Sequence, residues 1–141
     1  MSNTIRELLL TSAESRPSAV ALRHKQDGQW KVITYGDLLR RVRGASEALH
    51  QLGQNRGSHV AVFLDNEYRW PEIYLGISTA AFTAVPVDAK LREREVAHIL
   101  RDSEAGVVFT SSRTYAIIRD IADQLPELRH VIVLDGEALL P

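Results

Sequence analysis

The stretch Val107-Val108-Phe109-Thr110-Ser111-Ser112-Arg113-Thr114 places a run of hydroxyls directly after β-forming residues, where a helix should begin. A strand–turn–helix junction of this kind is one way to hold a phosphate, because backbone N–H groups, hydroxyls and the helix dipole converge on an anion there. A Walker-type loop also needs glycines, so that the amides can approach the phosphates, and a lysine to meet their charge. Residues 107–120 contain neither. The competing reading is a helix cap supplied by Ser111 or Ser112 ahead of Arg113–Thr114. The residues favour the cap.

Other chemistry-bearing side chains are similarly isolated. Asp65, Asp88 and Asp135 each follow an apolar run, the position of the acceptor in receiver-type phosphorylation sites. The paired acids and late-strand lysine such a site would use are missing, so turn formation or N-capping is the expected role. Glu93 and Glu95 are two apart on a helical pattern and face different directions. His24, His50, His59, His98 and His130 are scattered, with no pairing at metal-ligand spacing. Gly44, Gly53 and Gly57 make no GxGxxG, which leaves a dinucleotide site unsupported. Trp70, Tyr74 and Phe82 form an aromatic stripe on one helical pattern, which more often packs a core than lines a ligand site.

The elements that would position these residues can be read from period. Residues 19–25 and 30–35 flank Asp27-Gly28, a tight-turn pair, and form an early hairpin. Thr34 can cap a helix, with Asp37 in the capping-box position. Leu38, Leu39, Val42, Ala45, Leu49 and Leu52 line the apolar face of that helix, and Gly53 stops it. Four apolar strands follow, at 59–64, 83–87, 106–110 and 130–135. They alternate with helices from about 66–70 to 81, over 92–102 and over 114–125, with Pro71 in the first turn of the first. Strands that alternate with helices require crossovers. The expected fold is therefore α/β, with a mostly parallel sheet, helices on both faces and the hairpin at one edge. Residues 1–141 form a single domain in this reading.

The chain has 141 residues, 45% of them hydrophobic, enough for a core. Seventeen basic and eighteen acidic residues leave a net charge of −1, which argues against a nucleic-acid partner. No cysteine is present, which excludes disulfides and thiolate chemistry. The N-terminus has only three consecutive leucines, too few for a secretory signal. The longest uncharged run, 73–87, is shorter than the roughly 20 residues a membrane helix needs. A cytoplasmic location is expected, with peripheral membrane contact left open.

The wording of the segments adds a resemblance. TYGDLLRRVRGASEALHQLG (34–53), GSHVAVFLDNEYRWPEIYLGISTAAFTAVPVDAKL (57–91) and LRDSEAGVVFTSS (100–112) resemble the N-terminal region of adenylate-forming enzymes, the AMP-forming acyl-CoA synthetases and their relatives. HKQDGQWKVITYGDL (24–38), DNEYRW (65–70) and LPELRHVIVLDG (125–136) are most similar to long-chain fatty-acyl-CoA ligases. The chain departs from the family's pattern at Ser58, where Asp is usual, at Ala81-Phe82, where a Gly is common, and at Ala89, where Pro is expected.

The resemblance implies an ATP-dependent, AMP-forming fatty-acid–CoA ligase, with ATP, Mg²⁺ and CoA as its cofactors and a fatty acid or other carboxylate as its substrate. It also implies that the family's phosphate loop, adenine and Mg²⁺ motifs and lid lysine come after the region covered here. No catalytic, cofactor-binding or metal-binding residue is therefore carried onto this chain, and no cofactor is expected to bind it alone. The ending GEALLP suggests a truncated N-terminal fragment, inactive by itself, whose partner is the remainder of its own chain. The alternative is a stand-alone binding or oligomerisation module of the same fold. In a fragment, the helix around Tyr74 to Phe82 or the last strand would be uncovered and would drive homo-oligomerisation.

Overall fold

The computed structural model describes residues 4–135. The closing segment 136–141, including GEALLP, lies outside the described residues. The chain divides into two compact units, one of residues 4–53 and 67–81 and the other of residues 54–66 and 82–135.

The first unit opens with α1 (Ile5–Ser15), a helix the sequence reading did not assign. Thr4 starts it through a capping box: its hydroxyl accepts the Glu7 N–H at 3.2 Å and Glu7 returns a carboxylate to the Thr4 N–H. The hairpin follows as β1 (Val20–Gln26) and β2 (Gln29–Thr34), antiparallel, turning through Asp27 and Gly28 at positive φ. It is a two-stranded sheet of its own. Thr34 then caps α2 (Tyr35–Gln51), its hydroxyl accepting the Asp37 N–H at 3.2 Å, while the Asp37 carboxylate pairs with Arg40. Gly53 sits at φ 71° just past the end of α2, the conformation a C-terminal stop requires. The unit's last helix is α3 (Arg69–Thr79), with Pro71 in its first turn. Leu9, Ile33, Leu38 and Val42 form the buried centre, flanked by Leu22, Tyr68 and Leu75.

The second unit is the parallel sheet. Its strands are β3 (His59–Phe63), β4 (Thr83–Pro86), β5 (Val107–Thr110) and β6 (His130–Val133), in the order β4-β3-β5-β6, all parallel. Both faces of β3 and β5 are buried, so these two strands are apolar almost without interruption. Ala61, Phe63 and Val108 share one face and pack against α4 (Glu93–Asp102) and α5 (Ser112–Ile121) through Val96, Ala97, Leu100, Ile118 and Ile121. Val60, Val62, Val107 and Phe109 point the other way and are also buried.

Three details differ from the sequence reading. The last helix was expected to run to Leu125, but α5 ends at Ile121 and continues as a 3₁₀ turn (Ala122–Gln124). Pro126 follows, and a proline drives the residue before it out of helical backbone. Phe82 does not continue the stripe of Trp70 and Tyr74: α3 stops at Thr79, and Ala81 takes φ 65°, so Phe82 leaves the helix. Trp70 and Tyr74 stack with ring centroids 5.2 Å apart. Finally, Ile77 and Phe82 are buried and β6 is half-buried. The exposed large apolar side chains among the described residues are Ile5, Leu8, Val20, Trp30 and Val32.

Candidate functional site at the carboxyl ends of the strands

In an open parallel sheet, ligands bind beyond the carboxyl ends of the strands, where successive connections leave in opposite directions. Here the chain leaves β3 for β4 on one side and returns past it to β5 on the other. The switch point lies between the ends of β3 and β5. Asp65 lies just past β3, Thr110 ends β5 and Ser111, Ser112 and Arg113 follow it, so the topology brings the first acid and the hydroxyl-rich turn together.

The hydroxyls of Thr110, Ser111 and Thr114 are directed inward. Ser111 caps α5, its Oγ accepting the Thr114 N–H at 3.3 Å. Thr114, fully buried, donates its hydroxyl to the Phe63 carbonyl at 2.9 Å and accepts the Ser111 N–H at 3.1 Å. Thr110 Oγ1 lies 2.6 Å from Thr114 Oγ1. The network ties the end of β5 to the end of β3 and uses the groups that a phosphate would otherwise engage. Among the described residues, no buried side-chain polar atom lacks a partner.

The start of α5 already carries an anion. Asp135 Oδ1 accepts the Ser112 N–H at 2.6 Å and Oδ2 accepts the Ser112 hydroxyl at 2.8 Å. A carboxylate at this position satisfies an orphan N–H and meets the positive end of the helix dipole. Asp65 receives Arg113, with Nε at 2.7 Å from Oδ2 and Nη2 on the other oxygen. That fork–fork pair spans the switch point, and it raises Arg113 further above its ordinary pKa through the Asp65 hydrogen bond. Asp88 caps its own turn by accepting the Lys90 N–H at 2.9 Å. The three strand-end acids thus have distinct jobs: one pairs with Arg113, one closes a turn and one caps a helix.

The remaining candidates do not converge on this site. Glu95 accepts the Arg92 N–H at 3.0 Å and caps α4. His59 Nδ1 contacts the Ser103 carbonyl at 2.6 Å, and His24 stacks on Tyr68. Among the described residues, no group of three His, Cys, Asp or Glu side chains could hold a metal ion. No helix of the described residues is long and apolar enough to cross a membrane. The sequence reading treated Arg113 and Thr114 only as the start of a helix. The available signal was their placement, two and three residues after a capping serine, where α5 passes the end of β3.

The comparisons with known proteins agree with this topology. A family model described as AMP-binding enzyme matches residues 9–141. A long-chain-fatty-acid–CoA ligase of Mycobacterium bovis, FadD15, is 27% identical over 121 residues, 85% of this chain and 20% of that protein. An L-proline–[L-prolyl-carrier protein] ligase of Streptomyces coelicolor is 33% identical over 107 residues, 76% of this chain and 20% of that protein. The crystal structure of the anthranilate CoA ligase AuaEII with anthranoyl-AMP superposes with a TM-score of 0.86 at 24% identity, covering 94% of this chain and 25% of that one. The chain spans about a fifth of the length of these curated relatives.

Proposed function

The chain belongs to the AMP-binding enzyme family, and from that premise we propose that it is the N-terminal subdomain of an AMP-forming acid–thiol ligase whose carboxylate is a fatty acid. The parent reaction would join the carboxylate to the α-phosphorus of ATP, releasing pyrophosphate. The CoA thiol would then attack the acyl-adenylate carbonyl, releasing AMP and leaving the thioester. The likeness to the long-chain ligase over 85% of this chain carries the choice of substrate class.

Within that enzyme the described residues serve as scaffold. The residues present do not fit a Mg²⁺ ion, since no acidic or imidazole cluster forms among those described. They do not fit the triphosphate either: the α5 N-terminus holds Asp135 and the hydroxyls after β5 bond to one another and to Phe63. Nucleotide, metal and thiol chemistry then belong to other parts of the parent, and this chain sets the order and spacing of the strands beside them.

Two measurements test the reading. The isolated chain, incubated with ATP, Mg²⁺, labelled pyrophosphate and fatty acids, is expected to show no exchange of label into ATP; measurable exchange would overturn the scaffold role. The coding sequence is expected to run past residue 141 into a Gly-rich, Lys-containing loop. A native stop codon there would instead identify a stand-alone module of the same fold.

A further inference from the structure

The outward face of the hairpin concentrates exposed apolar and basic side chains. Alternation along β2 puts Ile33 inward, 2% exposed, and Trp30 and Val32 outward, 66% and 53% exposed. Their cross-strand partners are Lys25 and Arg23, both exposed, and Val20 continues the same face beyond the bulge, paired with Thr34. Lys25 Nζ lies 5.2 Å from the centroid of the Trp30 ring. Three of the five exposed large apolar side chains among the described residues therefore share one ribbon face with two cations. The acid nearest in sequence, Asp27, sits at the turn and not in this register.

We infer that this face docks on an anionic lipid surface. Charge selects the class of partner. A second copy placed face to face would set Arg23 and Lys25 against their own kind, whereas an anionic surface complements both. Area decides between lipid and protein. The ribbon is seven residues long and two strands wide, which makes a face of roughly 24 Å by 10 Å. That is about a third of the ~800 Å² a partner contributes to a stable protein interface. An interfacial anchor needs no such area. An indole sits at the headgroup boundary with its ring in the apolar layer and its N–H in the wet one, and neighbouring basic residues meet the lipid charge. Each basic residue near an anionic leaflet strengthens binding by about fivefold. The inference uses no residue of the proposed ligase chemistry, and it rests on this face being open in the whole protein as it is in this chain.

The purified protein would be mixed with vesicles of phosphatidylcholine alone or of equimolar phosphatidylcholine and phosphatidylglycerol, and sedimented. In a Trp70→Phe background, Trp30 reports its own environment by fluorescence. The expected result is co-sedimentation with the anionic vesicles only, a blue shift of Trp30 emission, and weakening at high salt. Arg23→Gln with Lys25→Gln should reduce the partition about 25-fold, and Trp30→Ser should remove most of the rest. Because all three positions are exposed, unchanged circular dichroism is the control for folding. Equal binding to both vesicle types, or unaltered binding by the variants, would overturn the inference. Retention on an acidic polypeptide without vesicle binding would overturn it in favour of a protein partner. A concentration-dependent dimer abolished by Trp30→Ser would assign the face to a second copy.

Discussion

Helices α2 and α3 approach most closely at Gly76, and replacing that glycine tests whether the packing is read correctly. A Cβ built on Gly76 would lie 2.6 Å from Ala45 Cβ and 3.3 Å from the Val42 carbonyl oxygen. Carbon atoms in contact sit about 3.5–4.0 Å apart, so the overlap is about 1 Å. It falls against the body of α2, not against the end of a flexible chain. Separating the helices by that amount would also stretch the Ser46 Oγ bond to the Gly76 carbonyl, now 2.8 Å. Overpacking of this size costs about 1–3 kcal/mol, and weakening the hydrogen bond adds up to about 1. Better helix propensity returns about 1 kcal/mol. Gly76→Ala should therefore lose up to about 3 kcal/mol. Gly44, in the same pair of helices, has nothing within 4 Å of its built Cβ, so Gly44→Ala should gain about 0.5–1 kcal/mol. Urea unfolding followed by circular dichroism gives both values from the shift of the midpoint. The decisive case is Gly76→Ala with Ala45→Gly, which moves the methyl from one helix to the other. Its loss should be smaller than the sum of the two single losses, the sign of a direct contact. If Gly76→Ala were as stabilising as Gly44→Ala, the close approach would be wrong.

Three further outcomes follow from particular residues. Ala81 holds φ 65°, a conformation that costs a non-glycine residue about 1–2 kcal/mol. Ala81→Gly relieves this, loses about 0.4–1 kcal/mol through unfolded-state entropy, and should raise the urea midpoint slightly. Asp135→Ala removes the carboxylate from the start of α5 and should cost about 1 kcal/mol. Added phosphate should then raise the melting temperature of the variant more than that of the parent. Burial raises the Glu72 pKa despite the opposing Arg41 guanidinium, 3.1 Å away. The folded state thus binds this proton more tightly than the unfolded state. The resulting stabilisation is complete below the ordinary carboxylate range, near 4.5, and is lost as pH rises through the folded value. Glu72→Gln should accordingly gain on the parent as pH increases from 4 to 7, measured by paired urea titrations.

How much was legible depended on whether a residue's role is local. The hairpin turn, the Thr34 cap, the Gly53 stop and the four apolar strands are written in adjacent residues, and each falls within one or two positions of its expected place. Strand order is not local, and neither is the division into units, in which α3 groups with α1 and α2 although it lies between β3 and β4 in sequence. Helix α1 buries only Leu9 and Ala13 and leaves Ile5 and Leu8 exposed, so it has no continuous apolar stripe for periodicity to mark. Spacing places Phe82 on the helix of Trp70 and Tyr74 because it carries no sign that Ala81 adopts a left-handed backbone.

The strand-end acids show the same limit at the candidate site. From sequence, Asp65, Asp88 and Asp135 were equivalent, each an acid after an apolar run. Folding separates them by what α5 brings near. Its second residue, Arg113, reaches Asp65 beside β3, and its first, Ser112, reaches Asp135 beyond β6. Two acids 70 residues apart thus grip successive residues of one helix turn, on either side of β5. The hydroxyl-rich stretch after β5 is an anion site whose anion is supplied from within the chain. Its chemistry goes into fixing the switch point, and an external phosphate would have to displace Asp135 to bind there.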